Sequence, residues 1–329
     1  MKFLRTATAR AKATATAIAL VMGASVGPAF AKTTLKLASV ETPQTVWGQA
    51  AQRFADGVAE ASGGEIEVQL SLSGSTGSPR ETLEAMTIGT NDIVMTVIAS
   101  LNTYDEIAAI ESYPYLFRDP AHFDAVFGGQ VGEELYAEIT DRTGFRLIGA
   151  GMRGPREMAS KREINSVEDL AGLKIRVPNI DIFAATWSTL GASPTPMSSN
   201  EVYSGLQSGI IDAVENPLSA HLRSKYYEAA DYVIMTDHVY GAYTLIFDDA
   251  RFSSLSEEEQ RIILEEGRAA LAWGSEQERV QDMADREQLE SYGVTVIEPD
   301  LAPFREKAAA VVDQFPDLKP WVEKIQAVQ

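Results

Sequence analysis

Hydrophobic and polar positions follow two periods in the first third of the chain. Residues 34–39 and 65–71 show the alternation that is typical of strands, and residues 92–97 form the apolar run of a strand buried on both faces. Between them, apolar residues recur at helical spacing over 47–58 and 83–86. The order β-α-β-α-β predicts an α/β layer architecture.

Capping residues mark three predicted helix starts. Thr42 precedes a proline and is the predicted N-cap of the first helix. Ser78 with Glu81, and Ser256 with Glu259, have the spacing of a capping box. The last of these predicts a long amphipathic helix.

The alternation of strands and helices returns in the second half of the chain. Strands are predicted over 146–149, 173–177, 210–214 and 294–297, and helices over 182–190 and 200–209. There is no internal repeat and no low-complexity linker. We therefore expect two α/β lobes between which the chain crosses more than once, an arrangement that closes by hinge motion around a bound molecule.

The first 31 residues have the composition of a secretory signal peptide. A basic start without acidic residues leads into an apolar run over 15–26, and Ala29-Phe30-Ala31 has the pattern that signal peptidase accepts. The run is shorter than the ~20 residues of a membrane span. We expect cleavage after Ala31, export to the periplasm and no direct membrane insertion of the remaining chain; the alternative is an uncleaved anchor.

Composition narrows the possible partners. The chain has 28 basic and 47 acidic residues, a net charge of −19, which disfavours nucleic acid and anionic lipid. It has no cysteine, and His122, His221 and His238 lack the spacing of paired ligands on one helix. We therefore predict no metal and no cofactor. An anionic ligand would need local positive charge.

Candidate positive charge lies between residues 150 and 220, near predicted strand ends. Arg153 and Arg156 follow one predicted strand, Arg176 lies near the end of another, and Asn216 follows a third. Ligands of open α/β sheets bind at such edges, and a guanidinium matches a carboxylate with two parallel hydrogen bonds. A lone arginine is more often a surface or ion-paired residue. These residues alone indicate an α/β protein with a candidate anion site.

Three further candidate residues each allow two interpretations. Glu41, after the first strand, either reaches a ligand hydroxyl or only flanks the helix start. Arg80 opens a helix and faces either the cleft or solvent. Trp187 either packs over a ligand or lies in a core, and its spacing with Phe183 and Leu190 favours the core.

Taken in order, these motifs resemble the DctP-type solute-binding proteins of TRAP (tripartite ATP-independent periplasmic) transporters. The resemblance covers nearly all of the chain after the signal sequence. The segments that carry it are Tyr115-Leu-Phe-Arg118-Asp119, Arg156, Lys174-Ile-Arg-Val-Pro178, residues 191–197, Glu201-Val-Tyr203, residues 206–217 and Tyr226-Tyr-Glu228.

The resemblance implies a fold and a set of site residues. The fold is α/β and two-lobed, like other periplasmic binding proteins, with a sheet in each lobe, a cleft between the lobes and a long helix spanning them. Its expected boundaries are 32–153 plus 242–281 for lobe one and 154–241 plus 282–329 for lobe two. By resemblance, Arg176 pairs with a ligand carboxylate, Arg156 is a second cleft arginine and Asn216 hydrogen-bonds the ligand. Arg153 matches only part of the family.

The resemblance leaves the substrate open. It implies delivery of a small organic carboxylate, either a C4-dicarboxylate or a sugar or hydroxy acid, to membrane subunits. Residues 94–98 of the first lobe are largely apolar, which also leaves an aromatic or other monocarboxylate open. Residues 198–200 are polar where many relatives are bulkier and apolar. A rival of another class is a secreted enzyme acting on a carboxylate, although we find no nucleophile elbow and no metal set.

Overall fold

The computed structural model describes residues 32–329, so the predicted signal sequence lies outside the described residues. Within residues 32–329, no helix is both long enough and apolar enough to cross a membrane.

Strands and helices alternate along this part of the chain. The strands are β1 (Thr33–Ala38), β2 (Ile66–Ser71), β3 (Ile93–Val97), β4 (Phe145–Leu147), β5 (Gly151–Ser160), β6 (Lys174–Val177), β7 (Ser193–Pro196), β8 (Ala213–Pro217), β9 (Tyr232–Ile234), β10 (Tyr240–Asp248) and β11 (Thr295–Ile297). The helices are α1 (Val46–Ala61), α2 (Pro79–Thr87), α3 (Pro120–Phe127), α4 (Gln130–Thr143), α5 (Asp181–Leu190), α6 (Val202–Ser208), α7 (Leu218–Arg223), α8 (Asp249–Ser253), α9 (Glu257–Ser291), α10 (Ala302–Ala308) and α11 (Lys319–Gln326).

The strands form two sheets, one in each lobe. In lobe one the order is β2-β1-β3-β10, with β1 parallel to β2 and β3, and β10 antiparallel to β3. In lobe two the order is β7-β6-β8-β5, with β6 parallel to β7 and β8, while β9 joins β5 to β11. This confirms the predicted α/β, two-lobed fold.

Strand β5 belongs to both sheets. Its first half pairs with β10 as far as Pro155, and its second half pairs with β8 from Arg156 onward. This strand was not predicted, because Gly154 and Pro155 in its middle indicate a turn. Here the two residues lie where the strand changes partners, a position that tolerates proline because a regular ladder is interrupted.

The long helix α9 connects the lobes on one side. Ser256 caps it with the predicted capping box, and it packs against α1, β5 and α7. Since α1 follows a lobe-one strand and α7 follows a lobe-two strand, the helix contacts both halves of the molecule.

Two predicted boundaries were wrong. The first helix is capped by Thr45, whose hydroxyl accepts from the backbone N–H of Gly48 at 3.1 Å, whereas the carbonyl of Thr42 closes the preceding turn. Strand β8 begins three residues later than predicted. The strand was predicted to begin at Ile210 because this residue is apolar. In the structure Ile210 instead follows Gly209, the left-handed C-cap of α6, and is 59% exposed.

Close packing at the base of lobe one depends on glycine. The ring of Trp47 stacks on Tyr243 with centroids 4.8 Å apart. A Cβ atom added at Gly151 or at Gly274 would lie 2.5 Å from this indole. The two glycines therefore let β5 and α9 approach the buried Trp47.

Replacing Gly274 with alanine tests this packing. Alanine favours a helix by about 1 kcal/mol over glycine, but the clash with Trp47 should outweigh that gain and lower the melting temperature. Gly57→Ala in α1 is the control, because its added methyl meets only the end of the flexible Glu266 side chain. Equal stabilisation by both changes, measured by thermal unfolding, would contradict the packing argument.

Candidate functional site

A cavity of about 760 Å³ lies between the two lobes. Lobe one contributes the ends of β1 and β3 with the loop at 73–78, and lobe two contributes the ends of β6 and β8 with residues 198–200. The cavity therefore lies outside the carboxyl ends of parallel strands, where ligands of α/β sheets bind.

The structure brings five of the seven candidate residues to this cavity. They are Glu41, Arg153, Arg156, Arg176 and Asn216. They come from both lobes and from the strand that joins them.

The other two candidates lie elsewhere. Arg80 is largely exposed and pairs with Glu84, one turn later in α2. Trp187 is fully buried and packs edge-to-face against His238, so the structure places it in the core, where its spacing with Phe183 and Leu190 also puts it.

Arg176 is held by the backbone and keeps one end free. Its Nε and Nη2 atoms donate to the carbonyl of Met197 at 2.9 and 2.7 Å. Within the described residues, Nη1 makes no hydrogen bond, although the side chain is 95% buried and lines the cavity. Burial lowers the pKa of Arg176, so a bound anion would relieve an uncompensated charge.

Arg156 is held by a buried carboxylate. Its Nε and Nη2 atoms form a bidentate pair with Glu215, whose Oε2 also contacts Nε2 of His238 at 3.2 Å. Burial alone would raise the pKa of Glu215, but the Arg156 charge and the His238 contact lower it to about 2. Because the pair uses Nε and Nη2, only Nη1 of Arg156 remains for a ligand.

Asn216 and Arg153 complete the available donors. The side chains of both line the cavity and form no hydrogen bond with any residue from 32 to 329. The guanidinium of Arg153 lies 5.5 Å from the ring centre of Tyr243. Asn216 thus joins the free ends of Arg156 and Arg176 in lobe two, while Arg153 lies closer to lobe one.

Glu41 is the main acceptor on the lobe-one side. It accepts a hydrogen bond of 2.5 Å from the hydroxyl of Tyr243 and lies 3.8 Å from Nη1 of Arg223. Burial raises the pKa of Glu41, but the charges of Arg223 and Arg153 and the hydrogen bond from Tyr243 outweigh this and lower it below the usual value. Glu41 is therefore ionised at neutral pH.

Sequence reasoning missed several lining residues. Arg223 comes from α7, which no motif linked to the site. Tyr226 belongs to a segment that carries the family resemblance but was given no contact, and Tyr243 lies in an aromatic-rich strand of the kind that is more often core. Thr96 and Ser100 lie in and after β3, where an apolar wall was expected, and their hydroxyls are 3.0 Å apart. A usable signal for Thr96 was its polarity, because it is the one polar residue in the otherwise apolar strand β3.

Comparison with known proteins identifies the family. Residues 37–317 match the family model described as "Bacterial extracellular solute-binding protein, family 7", also called DctP. The chain belongs to this family. Its structural neighbours are TRAP periplasmic solute-binding proteins, which confirms the predicted resemblance.

The DctP-family relatives match over most of their length. A solute-binding protein of Roseobacter denitrificans is 36% identical over 304 residues, covering 90% of this chain and 92% of the relative. The structure of this same protein, a TRAP solute-binding protein solved with bound L-galactonate, has a TM-score of 0.82 at 33% identity, covering 89% of this chain and 98% of that one. One from Xanthobacter autotrophicus Py2, solved with bound β-D-galacturonate, has a TM-score of 0.83 at 30% identity, covering 90% and 100%.

An acidic face of α9 lies behind the site of this DctP-family protein. Burial raises the pKa of Glu278 to about 7 and that of Asp282 to about 6. Their carboxylate oxygens approach Gly154, next to Arg153, and the Arg153 charge acts to lower the pKa of Glu278. Among residues 32–329, no three acidic or histidine side chains converge as a metal site.

Removing the partner of Arg156 should destabilise the fold strongly. Glu215→Ala leaves a buried guanidinium without a counter-charge, which costs about 3–5 kcal/mol of unfolding free energy. Glu258→Ala, which breaks an exposed pair with Arg261, is the control and should leave the unfolding free energy nearly unchanged. Chemical denaturation measures both, and equal small losses would refute a structural role for the pair.

Glu278 should make the free protein less stable as pH rises from about 4.5 to 7. Across this range the folded chain keeps a proton on Glu278 that the unfolded chain has released, so stability falls with pH, by about 3 kcal/mol at most. Thermal unfolding at several pH values should show a smaller decline for Glu278→Gln. The exposed Glu276→Gln on the same helix should leave the decline unchanged. An unaltered decline in Glu278→Gln would exclude this group as a cause.

Proposed function

We propose that this TRAP solute-binding protein captures a sugar acid, a hexuronate or an aldonate, between its lobes. The observation that carries the proposal is a cavity with free cationic and amide donors on the lobe-two side and hydroxyl groups with an ionised acceptor on the lobe-one side. Such a cavity matches a molecule with a carboxylate at one end and hydroxyl groups over the rest.

The carboxylate is assigned to lobe two. Nη1 of Arg156, Nη1 of Arg176 and the amide of Asn216 all lack partners within the described residues and line one cavity. Charge-assisted hydrogen bonds from a desolvated guanidinium are the strong ones, and their geometry suits carboxylate oxygens. The relatives solved with galacturonate and galactonate, both carboxylates, support this assignment.

The hydroxyl groups are assigned mainly to lobe one and to the cavity floor. Thr96, Ser100 and the loop at 73–78 face the cavity from lobe one, and Ser198 and Ser199 face it from lobe two. Hydroxyl side chains both donate and accept, so they match the hydroxyl groups of a sugar. Tyr226 and Tyr243 are the aromatic residues in the lining, and the hydroxyl of Tyr243 is already bonded to Glu41. This polarity favours a sugar acid over an aromatic monocarboxylate.

The proposal extends to domain boundaries, location and partners. We assign residues 32–153 plus 242–281 to lobe one and 154–241 plus 282–329 to lobe two, close to the partner change in β5 at Pro155–Arg156. Export through the N-terminal signal, with cleavage after Ala31, would place the protein in the periplasm. There the closed, ligand-bound form would deliver its ligand to the membrane subunits of a TRAP transporter.

The rival proposal is an enzyme that acts on a carboxylate. The two proposals are distinguished by testing whether the ligand is chemically converted. A binding protein returns D-galacturonate unchanged after long incubation, whereas an enzyme converts it. Membership in a solute-binding family favours the first outcome. Mass spectrometry of the recovered sugar acid decides between them.

Arg176→Ala tests the carboxylate assignment. Removing a desolvated charge partner costs about 2–5 kcal/mol of binding, so affinity for D-galacturonate or L-galactonate should fall by about 30-fold or more. Titration calorimetry measures this on protein that has been unfolded and refolded to remove bound ligand. Arg80→Ala is the matched control, because this exposed arginine lies outside the cavity. Unchanged affinity in Arg176→Ala would remove Arg176 from the site, and no binding of either acid to the wild type would refute the proposed ligand class.

A further inference from the structure

The lobe-one side of the cavity presents a carboxylate to the ligand. Glu41 is 94% buried and lies three residues after the end of β1. The hydroxyl of Tyr243 donates to its Oε1, and the hydroxyl of Thr45 also helps to lower the pKa of this carboxyl. Oε2 lies 3.8 Å from Nη1 of Arg223, which is an ion-pair distance and too long for a hydrogen bond.

An ionised carboxylate of this kind can only accept hydrogen bonds. It has about four lone-pair sites, and the Tyr243 hydroxyl occupies one of them. Leaving the others without donors after lobe closure would cost free energy, because a buried polar group that loses water needs a new partner. A ligand hydroxyl near Glu41 supplies that partner.

We propose that Glu41 determines specificity by selecting a ligand whose second end carries hydroxyl groups and by rejecting a ligand with a second carboxylate. The inference rests on the proposed function, since it assumes that the first carboxylate binds to Arg156, Arg176 and Asn216. It separates sugar acids with one carboxylate from the dicarboxylates that the sequence left open.

The nearby arginines do not reverse this selection. Arg223 is 44% exposed, so solvent screens much of its charge. Arg153 is more buried, but its charge already acts on Glu41 and on Glu278 of α9. A second ligand carboxylate would share these two cations with Glu41 in a desolvated space. Two carboxylates that share such a site cannot both remain ionised without a large penalty.

The tyrosine that contacts Glu41 is itself fixed. Tyr243 stacks on Trp47, and its hydroxyl donates to Glu41, so Glu41 cannot turn away from the cavity without losing that bond. The cation of Arg153 lies over the same tyrosine ring. The acceptor therefore keeps its position when a ligand enters.

Two matched ligands test the inference. L-galactonate and galactarate differ at one end only, where galactarate has a carboxylate in place of CH2OH. Titration calorimetry should show that the wild-type protein binds L-galactonate at least about 10-fold more tightly than galactarate. In Glu41→Gln the ratio of the two affinities should fall to about 3-fold or less, mainly because galactarate binds more tightly to this variant. Glu84→Gln, an exposed lobe-one change, should keep the wild-type ratio.

A second variant keeps the test valid if Glu41→Gln does not fold. Arg223→Gln removes the half-exposed cation next to Glu41 and should widen the preference for L-galactonate. Equal binding of both acids by the wild type would overturn the inference while leaving the sugar-acid function intact. The inference would also be overturned if a folded Glu41→Gln kept the wild-type ratio of affinities for the two acids, or if Arg223→Gln reduced the preference for L-galactonate. Tight binding of succinate, with neither six-carbon acid bound, would overturn both the inference and the proposed function.

Discussion

The buried pair between Arg156 and Glu215 is the interaction on which the ligand site depends. It joins the two antiparallel strands β5 and β8 inside lobe two, where Arg156 pairs with Pro217 and Met158 pairs with Glu215 in the sheet. Because the carboxylate binds Nε and Nη2, it leaves Nη1 of Arg156 for a ligand. Asn216 follows Glu215 directly, so the same contact fixes the position of the neighbouring amide.

The shared strand connects this pair to the movement of the lobes. Arg153 precedes the point where β5 leaves the lobe-one sheet, and Arg156 follows it. Two cations of the site thus lie on the segment about which the lobes would close, whereas Arg176 and Glu41 lie on separate lobes. A ligand that contacts Arg176 and Glu41 together bridges the lobes, and closure gains its free energy from completing both sets of contacts.

Local patterns predicted much of the fold, because each lobe is built from regular βα units. The capping boxes at Ser78 and Ser256 depend on four neighbouring residues and were predicted correctly. Strand β5 was not predicted, because its Gly154-Pro155 step fits only when two different sheets supply the partners. In the site, Arg176 could be predicted because it lies near the end of a strand, where ligands of α/β sheets bind. Tyr243 and Arg223 could not be predicted in this way, because they reach Glu41 only through tertiary packing across more than 180 residues of sequence.

Overall charge and local charge act at different distances in this protein. The net charge of −19 would repel an anion at long range. At physiological ionic strength, however, exposed charges are screened over about 8 Å. An anion inside the cavity therefore responds mainly to Arg153, Arg156, Arg176 and Arg223. Of these, Arg156 is neutralised by Glu215, and Arg223 is partly offset by Glu41. The charge of Arg153 acts on Glu41 and Glu278, so the attraction that remains comes mainly from Arg176. The position of each acidic side chain, rather than the sum of charges, therefore decides where on the ligand a negative charge is accepted.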